Sequence, residues 1–225
     1  MTTYANTHML PPPVGTNHYT VIPTKFTDSV SAQEFRFNLP EEFDGLERII
    51  MQTSGNLQRL MSAYFNGPVQ VEHVKNIALP ETPALRPTQP DTVIYDLDAP
   101  TVLKRFDRQI NMYCAKKYLY QADSVLIVHD QVVLDMLEKE KAGIGQIFWK
   151  LQQLPDFKLH SIGRHGEKAG GSFWRDYSLS VKGAIYCYIR ETFPANLFTS
   201  SNITQEESGH REMGPCPTGT IWVAE

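Results

Sequence analysis

Cysteine and the familiar catalytic motifs are scarce in this 225-residue sequence. Its three cysteines, Cys114, Cys187 and Cys216, lie far apart and form no CxxC spacing, which argues against a disulfide framework and against a structural zinc site. No two histidines have metal-ligand spacing, and the GxSxG, P-loop and HExxH motifs are absent. The sequence therefore predicts neither a metal nor a nucleotide cofactor.

Long apolar runs and clusters of basic residues are also missing. No apolar stretch approaches the roughly 20 residues that a membrane-spanning helix needs, and residues 1–17 lack the basic start and apolar run of a secretory signal. The net charge is −4, and no group of lysines and arginines alternates with aromatic residues. We expect a cytoplasmic protein that neither spans a membrane nor binds nucleic acid.

Proline divides the chain. Residues 1–45 contain a triple proline and two further prolines, which predicts an N-terminal arm. Residues 46–200 carry the regular apolar patterns of one domain, interrupted by a proline-rich loop at 80–100. Residues 201–225 are predicted to form an irregular tail, in which Thr220–Val223 could dock as a short strand.

Periodicity inside the domain predicts both helices and strands. Apolar residues recur at helical spacing in two pairs of segments, Leu46–Ile50 with Leu57–Tyr64 and Val133–Leu137 with Ile144–Leu151. Asp130 is a predicted N-cap. Strand-like alternation occupies 69–75, 108–120, 122–129, 157–162, 174–181 and 184–193. Short connections and the order of these elements predict an α+β domain with one mainly antiparallel sheet and helices on one face.

Two charged residues fall where strands should be apolar. In the last predicted strand of the domain, Glu191 shares a face with Ile189 and Phe193, and in an earlier one Arg108 shares a face with Ile110. Alternation also places Lys75 on the apolar face of its strand. A buried charge costs several kcal/mol unless it is paired, so these residues indicate a site that holds an anion and works on a proton.

The chemistry of Arg108 and Glu191 allows two interpretations. An arginine in an apolar wall can bind a substrate carboxylate with its planar fork, and a carboxylic acid in an apolar pocket can retain a proton and donate a hydrogen bond. Alternatively, the two residues pair with each other, or each lies at a strand end and reaches water. Alternation alone does not decide between a site and a structural ion pair.

Several short segments resemble the chorismate lyases (chorismate-pyruvate lyase, 4-hydroxybenzoate synthase) and their wider family. The resemblance covers roughly Leu46 to Phe198, in order. Its residues are Thr53–Leu60, Arg108–Ile110, Gln121–Ser124, Gly143–Phe148, Ser161–Arg164, Trp174–Leu179 and Arg190–Pro194.

The resemblance implies a fold and a set of site residues. It implies helical flaps that close over a buried ligand site on the antiparallel sheet. Arg108 would bind the substrate carboxylate, Glu191 would hydrogen-bond the ring oxygen, and the Ile144–Gly145 backbone would assist. Lys75 stands where the family carries an arginine, which keeps the charge but loses the bidentate fork.

The function implied is that of a cofactor-free lyase that converts chorismate to 4-hydroxybenzoate and pyruvate. Two alternatives stay open at this point. The same fold could serve a dehydration, isomerisation or cyclisation of another carboxylated or phenolic compound, which Lys75 and the unmatched arm, loop and tail favour. It could also be a non-catalytic module that binds aromatic acids.

Overall fold

The computed structural model describes residues 20–24, 28–30, 35–79, 102–165, 170–199 and 219–224. The predicted loop at 80–100 lies outside these residues. The helices are α1 (Gly45–Gln52), α2 (Leu57–Phe65), α3 (Gln131–Glu138) and α4 (Ile144–Leu151). The strands are β1 (Thr20–Thr24), β2 (Asp28–Val30), β3 (Phe35–Phe37), β4 (Val69–Leu79), β5 (Lys104–Cys114), β6 (Lys117–Val128), β7 (Asp156–His165), β8 (Phe173–Val181), β9 (Ile185–Phe193) and β10 (Gly219–Ala224).

Eight strands form one sheet in the order β1-β10-β7-β8-β9-β6-β5-β4. From β7 to β4, all five neighbouring pairs are antiparallel. The prediction of an α+β domain with an antiparallel sheet is therefore confirmed. The remaining strands, β2 and β3, form a separate antiparallel pair.

The hairpin between β5 and β6 corrects a predicted boundary. The sequence pattern predicted a first strand that runs to Tyr120, but the chain turns at Ala115 and Lys116. Both residues have positive φ, 48° and 70°, as the favoured two-residue hairpin turns require. Neither is the Asn or Gly that usually marks such a turn, and so the pattern gave no sign of it.

Both ends of the chain contribute strands. β10 pairs antiparallel with β7, and β1 pairs parallel with β10, with Thr20 opposite Thr220. The predicted docking of Thr220–Val223 as a strand is confirmed. The description of the tail as irregular is wrong for residues 219–224, because their backbone extends the sheet.

The helix starts show which capping predictions are confirmed. Asp130 accepts hydrogen bonds from the amides of Val132 and Val133 at 2.7 and 3.1 Å, so it is the N-cap of α3, as predicted. Asp44 and Glu47 form a capping box at the start of α1. Asn56 precedes α2, but its side chain makes no capping bond.

The hydrophobic core lies on one face of the sheet. All four helices contribute buried residues to it, including Met51, Met61, Val133 and Ile147. The core residues from β5, β8 and β9, and those of β6 from Tyr120 onward, alternate along their strands and belong to the face that carries Arg108. In the part of the chain described above, no helix is long and apolar enough to cross a membrane.

Candidate functional site

Arg108 and Glu191 lie on the same, helix-covered face of the sheet. Arg108 is opposite Ser124 on β6, and Ser124 is opposite Ile189 on β9. Glu191 is two residues beyond Ile189, so two strand spacings and two residues separate the charged pair. With ordinary strand dimensions, their Cα atoms are about 12 Å apart.

The strand between them carries small side chains. On the core face of β6, Ala122 lies opposite Glu191 and Ser124 lies opposite Arg108. The next core positions in either direction are large, Tyr120 and Leu126, and both are buried. Small residues therefore occur on this face of β6 where it passes between the arginine and the glutamate.

Arg108 is a buried cation that forms no ion pair with the described residues. Its exposed fraction is 6%, and its Nε and Nη1 atoms hydrogen-bond to no described residue. Burial lowers its pKa below the usual value, because desolvation disfavours the charged form, although the neighbouring Cys187 acts in the opposite direction. A buried guanidinium whose N–H groups lack acceptors destabilises the folded state, so the presence of Arg108 at this position needs an explanation.

Glu191 is held by two buried partners from β8. Arg175 Nε donates to Glu191 Oε2 at 2.7 Å, and the Tyr177 hydroxyl donates to Oε1 at 2.9 Å. The interpretation in which Arg108 pairs with Glu191 is therefore wrong, because the glutamate pairs with Arg175 instead.

Arg175 joins this site to the end of α1. The side chain is fully buried, and its Nη1 donates to the carbonyls of Ile50, Met51 and Thr53 at 2.5, 3.0 and 2.8 Å. The last carbonyls of a helix have no hydrogen-bond partner within the helix. A cation at this end can bind them, and it also interacts favourably with the negative end of the helix dipole. The guanidinium also stacks over the Tyr177 ring, 4.4 Å from its centroid.

The sequence contained the signal for Arg175. It alternates with Phe173, Tyr177 and Leu179, so it is a charged residue on an apolar strand face. Arg108 and Glu191 have the same kind of position. Arg175 is not among the predicted site residues, although this alternation is sufficient to identify it. Arg175, Tyr177 and Glu191 form one buried cluster in the structure.

Lys75 lies on the opposite face, which corrects its predicted position. A β-bulge between His73 and Lys75 shifts the register, so that Lys75 is opposite Gln109. Its ammonium forms an ion pair with Asp107. The residue of β4 opposite Arg108 is Asn76, which is exposed.

The Ile144–Gly145 step forms the start of α4. Gly143 is the N-cap, and Gly145 is the second helical residue. A side chain added at Gly145 would lie 3.5 Å from the carbonyl oxygen of Gly55, and one added at Gly55 would contact Leu179 on β8. The start of α4 therefore packs against the turn between α1 and α2, on the face that carries Arg175.

The opposite face of the sheet carries a separate polar network. Arg190 forms an ion pair with Asp176, and Ser161 donates to the same carboxylate at 2.8 Å. His160 is hydrogen-bonded to Ser178 at 2.9 Å and stacks on the ring of Tyr188. These groups satisfy one another across the strands.

The described residues include no group of three histidine, cysteine, aspartate or glutamate side chains that could hold a metal ion. Cys114 and Cys187 are buried free thiols, and Cys216 lies outside the described residues.

Neither protein-family models nor curated proteins give a match to this chain. The site is therefore defined by its own geometry: the Arg108 guanidinium, whose Nε and Nη1 find no partner among the described residues, the Glu191 carboxylate in its cluster, and small residues between them.

Proposed function

We propose that the helix-covered face binds a small carboxylated compound, and that the protein is a cofactor-free lyase that converts chorismate to 4-hydroxybenzoate and pyruvate. The observation that carries the proposal is that Arg108 is buried and that its Nε and Nη1 have no hydrogen-bond partner in the described parts of the chain. The resemblance of the sequence segments supplies the particular reaction.

A carboxylate is the ligand that best fits Arg108. The planar guanidinium presents parallel N–H groups that match the two oxygens of a carboxylate. Arg108 is already desolvated in the folded protein, and a bound carboxylate would supply the negative charge that the described residues do not provide. We propose that the ring of the ligand lies over Ala122 and Ser124, whose side chains are small.

The reaction needs no added reagent. When the bond between the ring and the enolpyruvyl oxygen breaks, one ring hydrogen passes to the enolpyruvyl methylene carbon, so the atoms of chorismate divide between 4-hydroxybenzoate and pyruvate. Aromatisation supplies the driving force. The protein must contribute orientation and charge placement.

Glu191 would bind a ring oxygen of the substrate as a hydrogen-bond acceptor. Both carboxylate oxygens of Glu191 already accept a hydrogen bond, one from Arg175 and one from Tyr177. A carboxylate oxygen in this role can accept a further hydrogen bond. We therefore propose that Glu191 accepts from a ring hydroxyl of the substrate, which specifies the hydrogen bond to a ring oxygen that the resemblance implies.

The direct test is incubation of the purified protein with chorismate, followed by measurement of pyruvate and 4-hydroxybenzoate. Glu191→Gln and Arg108→Ala should each abolish product formation while the variants stay folded by circular dichroism. Asp176→Asn is a matched control, because it neutralises a buried, arginine-paired carboxylate on the opposite face. A folded wild-type protein that releases no pyruvate would refute the lyase proposal.

A second candidate is another reaction on a compound with one carboxylate. It is favoured by the position of Lys75, which lies on the far face and cannot join Arg108. Chorismate carries two carboxylates, whereas among the described residues Arg108 is the buried guanidinium on this face that forms no ion pair; Arg175 has a free Nη2 but is already paired with Glu191. Thermal-shift measurements with a panel of phenolic acids would separate the candidates, because bound ligand stabilises the native state. A non-catalytic module would bind without turnover.

A further inference from the structure

A single buried guanidinium connects Glu191 to the helices above the site. Arg175 contacts the carboxylate through Nε and the end of α1 through Nη1. We infer that Arg175 is a positioning residue that makes Glu191 and the α1–α2 turn move as one unit. As a role in catalysis this inference rests on the proposed function, but the mechanical coupling is a property of the protein itself.

Arg175 contacts the α1–α2 turn at its first residue, Thr53. Residues 53–56 join two short helices, and Gly55 has a φ of +83°. The hydroxyl of Thr53 bonds to the carbonyl of Ile49, but the carbonyl of Thr53 itself bonds to Arg175. Rotation of the guanidinium would therefore release the end of α1 and the first residue of the turn together.

The coupling extends from this turn to α4. Gly55 lies against Leu179 on the sheet and against Gly145 at the start of α4. The α1–α2 turn and the start of α4 therefore meet over β8, the strand that carries Arg175. A change at Glu191 reaches this junction through one side chain.

A second buried arginine also contacts α1 and provides a matched control. Arg164 on β7 binds Glu47 through two hydrogen bonds of 3.1 and 3.0 Å and also bonds to the carbonyl of Glu42. It is as fully buried as Arg175 and also fastens α1, but its hydrogen bonds go to groups other than Glu191. Replacement of either arginine should loosen α1. Only replacement of Arg175 should also disturb Glu191.

The first test uses amide hydrogen exchange without any ligand. Glu191→Gln should accelerate exchange of the amides in residues 50–57 by about tenfold or more, because a charged hydrogen bond that fixes Arg175 is weakened. Asp176→Asn, on the opposite face, should leave those amides within about twofold of wild type after correction for global stability. Tyr177→Phe, which removes one hydroxyl bond to Glu191, is the milder variant and should give an intermediate acceleration. Unchanged exchange in 50–57 in both Glu191→Gln and Tyr177→Phe overturns the inference.

The second test separates positioning from simple stability. With chorismate as substrate, Arg175→Lys should lower kcat by about tenfold or more with little change in KM, because lysine cannot donate in both directions at once. Arg164→Lys should retain kcat within about threefold although it also destabilises the protein. Equal losses in both variants would contradict a positioning role.

Failure of the two proposals can be told apart. If the wild-type protein releases no pyruvate but Glu191→Gln still loosens residues 50–57, the lyase proposal fails and the coupling stands. If pyruvate is formed and exchange is unaffected by Glu191→Gln, the lyase proposal stands and the coupling is refuted.

Discussion

Arg108 and Arg175 are two buried guanidinium groups on one face, and their surroundings differ in kind. Arg175 has a carboxylate and three carbonyls as partners. Among the described residues, Arg108 has no ion-pair partner and no hydrogen-bond partner for Nε and Nη1, whereas Arg175 lacks a partner only for Nη2. The same residue type is therefore structural at one position and a candidate ligand group at the other.

This difference predicts opposite stability effects of one substitution. Arg108→Met should stabilise the ligand-free protein by roughly 1–3 kcal/mol, because it removes an uncompensated buried charge, while it abolishes binding of 4-hydroxybenzoate. Arg175→Met should destabilise by roughly 3–5 kcal/mol, because it leaves Glu191 unpaired. Urea unfolding of both variants checks the prediction, and a destabilised Arg108→Met would show that Arg108 has a structural role.

His160 predicts a loss of stability in acid. Burial lowers its pKa to about 4, with the nearby Lys158 acting in the same direction. The unfolded state, with a pKa near 6.5, therefore binds a proton between pH 6.5 and 4 that the native state does not. Stability should be full above pH 6.5 and fall as the pH decreases, by about 2 kcal/mol between pH 7 and pH 5.

The control for this prediction is His160→Gln, which can keep a hydrogen bond to Ser178 and does not titrate. Urea unfolding at pH 7 and pH 5 should show a smaller pH dependence for the variant, by about the same 2 kcal/mol. Identical pH dependence in wild type and variant would mean that another group dominates.

At the scale of elements, the sequence predicted the four helices and the sheet type well. Their apolar periodicity is regular, and it matches one continuous core face, as Met61 and Ile147 illustrate. The start of α3 was predicted correctly because a capping aspartate acts through its immediate neighbours.

The predictions were wrong or incomplete where the local sequence pattern does not determine the face or the partner of a side chain. Lys75 was assigned to the wrong face because one extra residue at the bulge reverses alternation, and nothing in the residue types marks it. The partner of Glu191 could not be deduced either, because strand order decides which charges become neighbours. β9 lies between β6 and β8, which brings Arg175 next to Glu191 and leaves Arg108 beyond β6.

Two glycines in different elements should respond oppositely to alanine. A Cβ atom at Gly163 on β7 would lie 2.6 Å from the ring of Trp174, which is buried and stacked beneath Arg190. We expect Gly163→Ala to destabilise by roughly 1–3 kcal/mol. Gly145→Ala should be neutral or stabilise by up to about 1 kcal/mol, because its Cβ meets only an ordinary contact and helix propensity improves.

Thermal unfolding of the two alanine variants measures this difference. Gly145→Ala also retains the backbone amide, so ligand binding should persist in that variant. A Gly163→Ala protein as stable as wild type would show that the Trp174 ring can shift.

At the scale of the whole molecule, the sheet is completed by the two ends of the chain. β10 covers the edge of β7, and within the described residues it is the strand on which β1 pairs. The pairing of β1 with β10 joins residues 200 positions apart, such as Thr20 and Thr220.

Removal of residues 219–225 should therefore weaken more than the tail itself. We expect the melting temperature to fall by about 5 °C, which corresponds to roughly 2 kcal/mol for a chain of this size. Amide protection should be lost in residues 161–165 of β7 and kept in β5 and β6. Removal of Glu225 alone is the control, and equal melting temperatures for the two truncations would contradict the prediction.

The fastening of α1 by Arg164 and Arg175 has a consequence for synthesis on the ribosome. A nascent chain that has emerged to residue 155 already contains all four helices and strands β4 to β6, but it contains neither arginine. The first helix must wait for more than a hundred later residues before its last carbonyls and Glu47 find their partners. During translation, α1 is therefore made early, but it gains these contacts only after β7 and β8 have emerged.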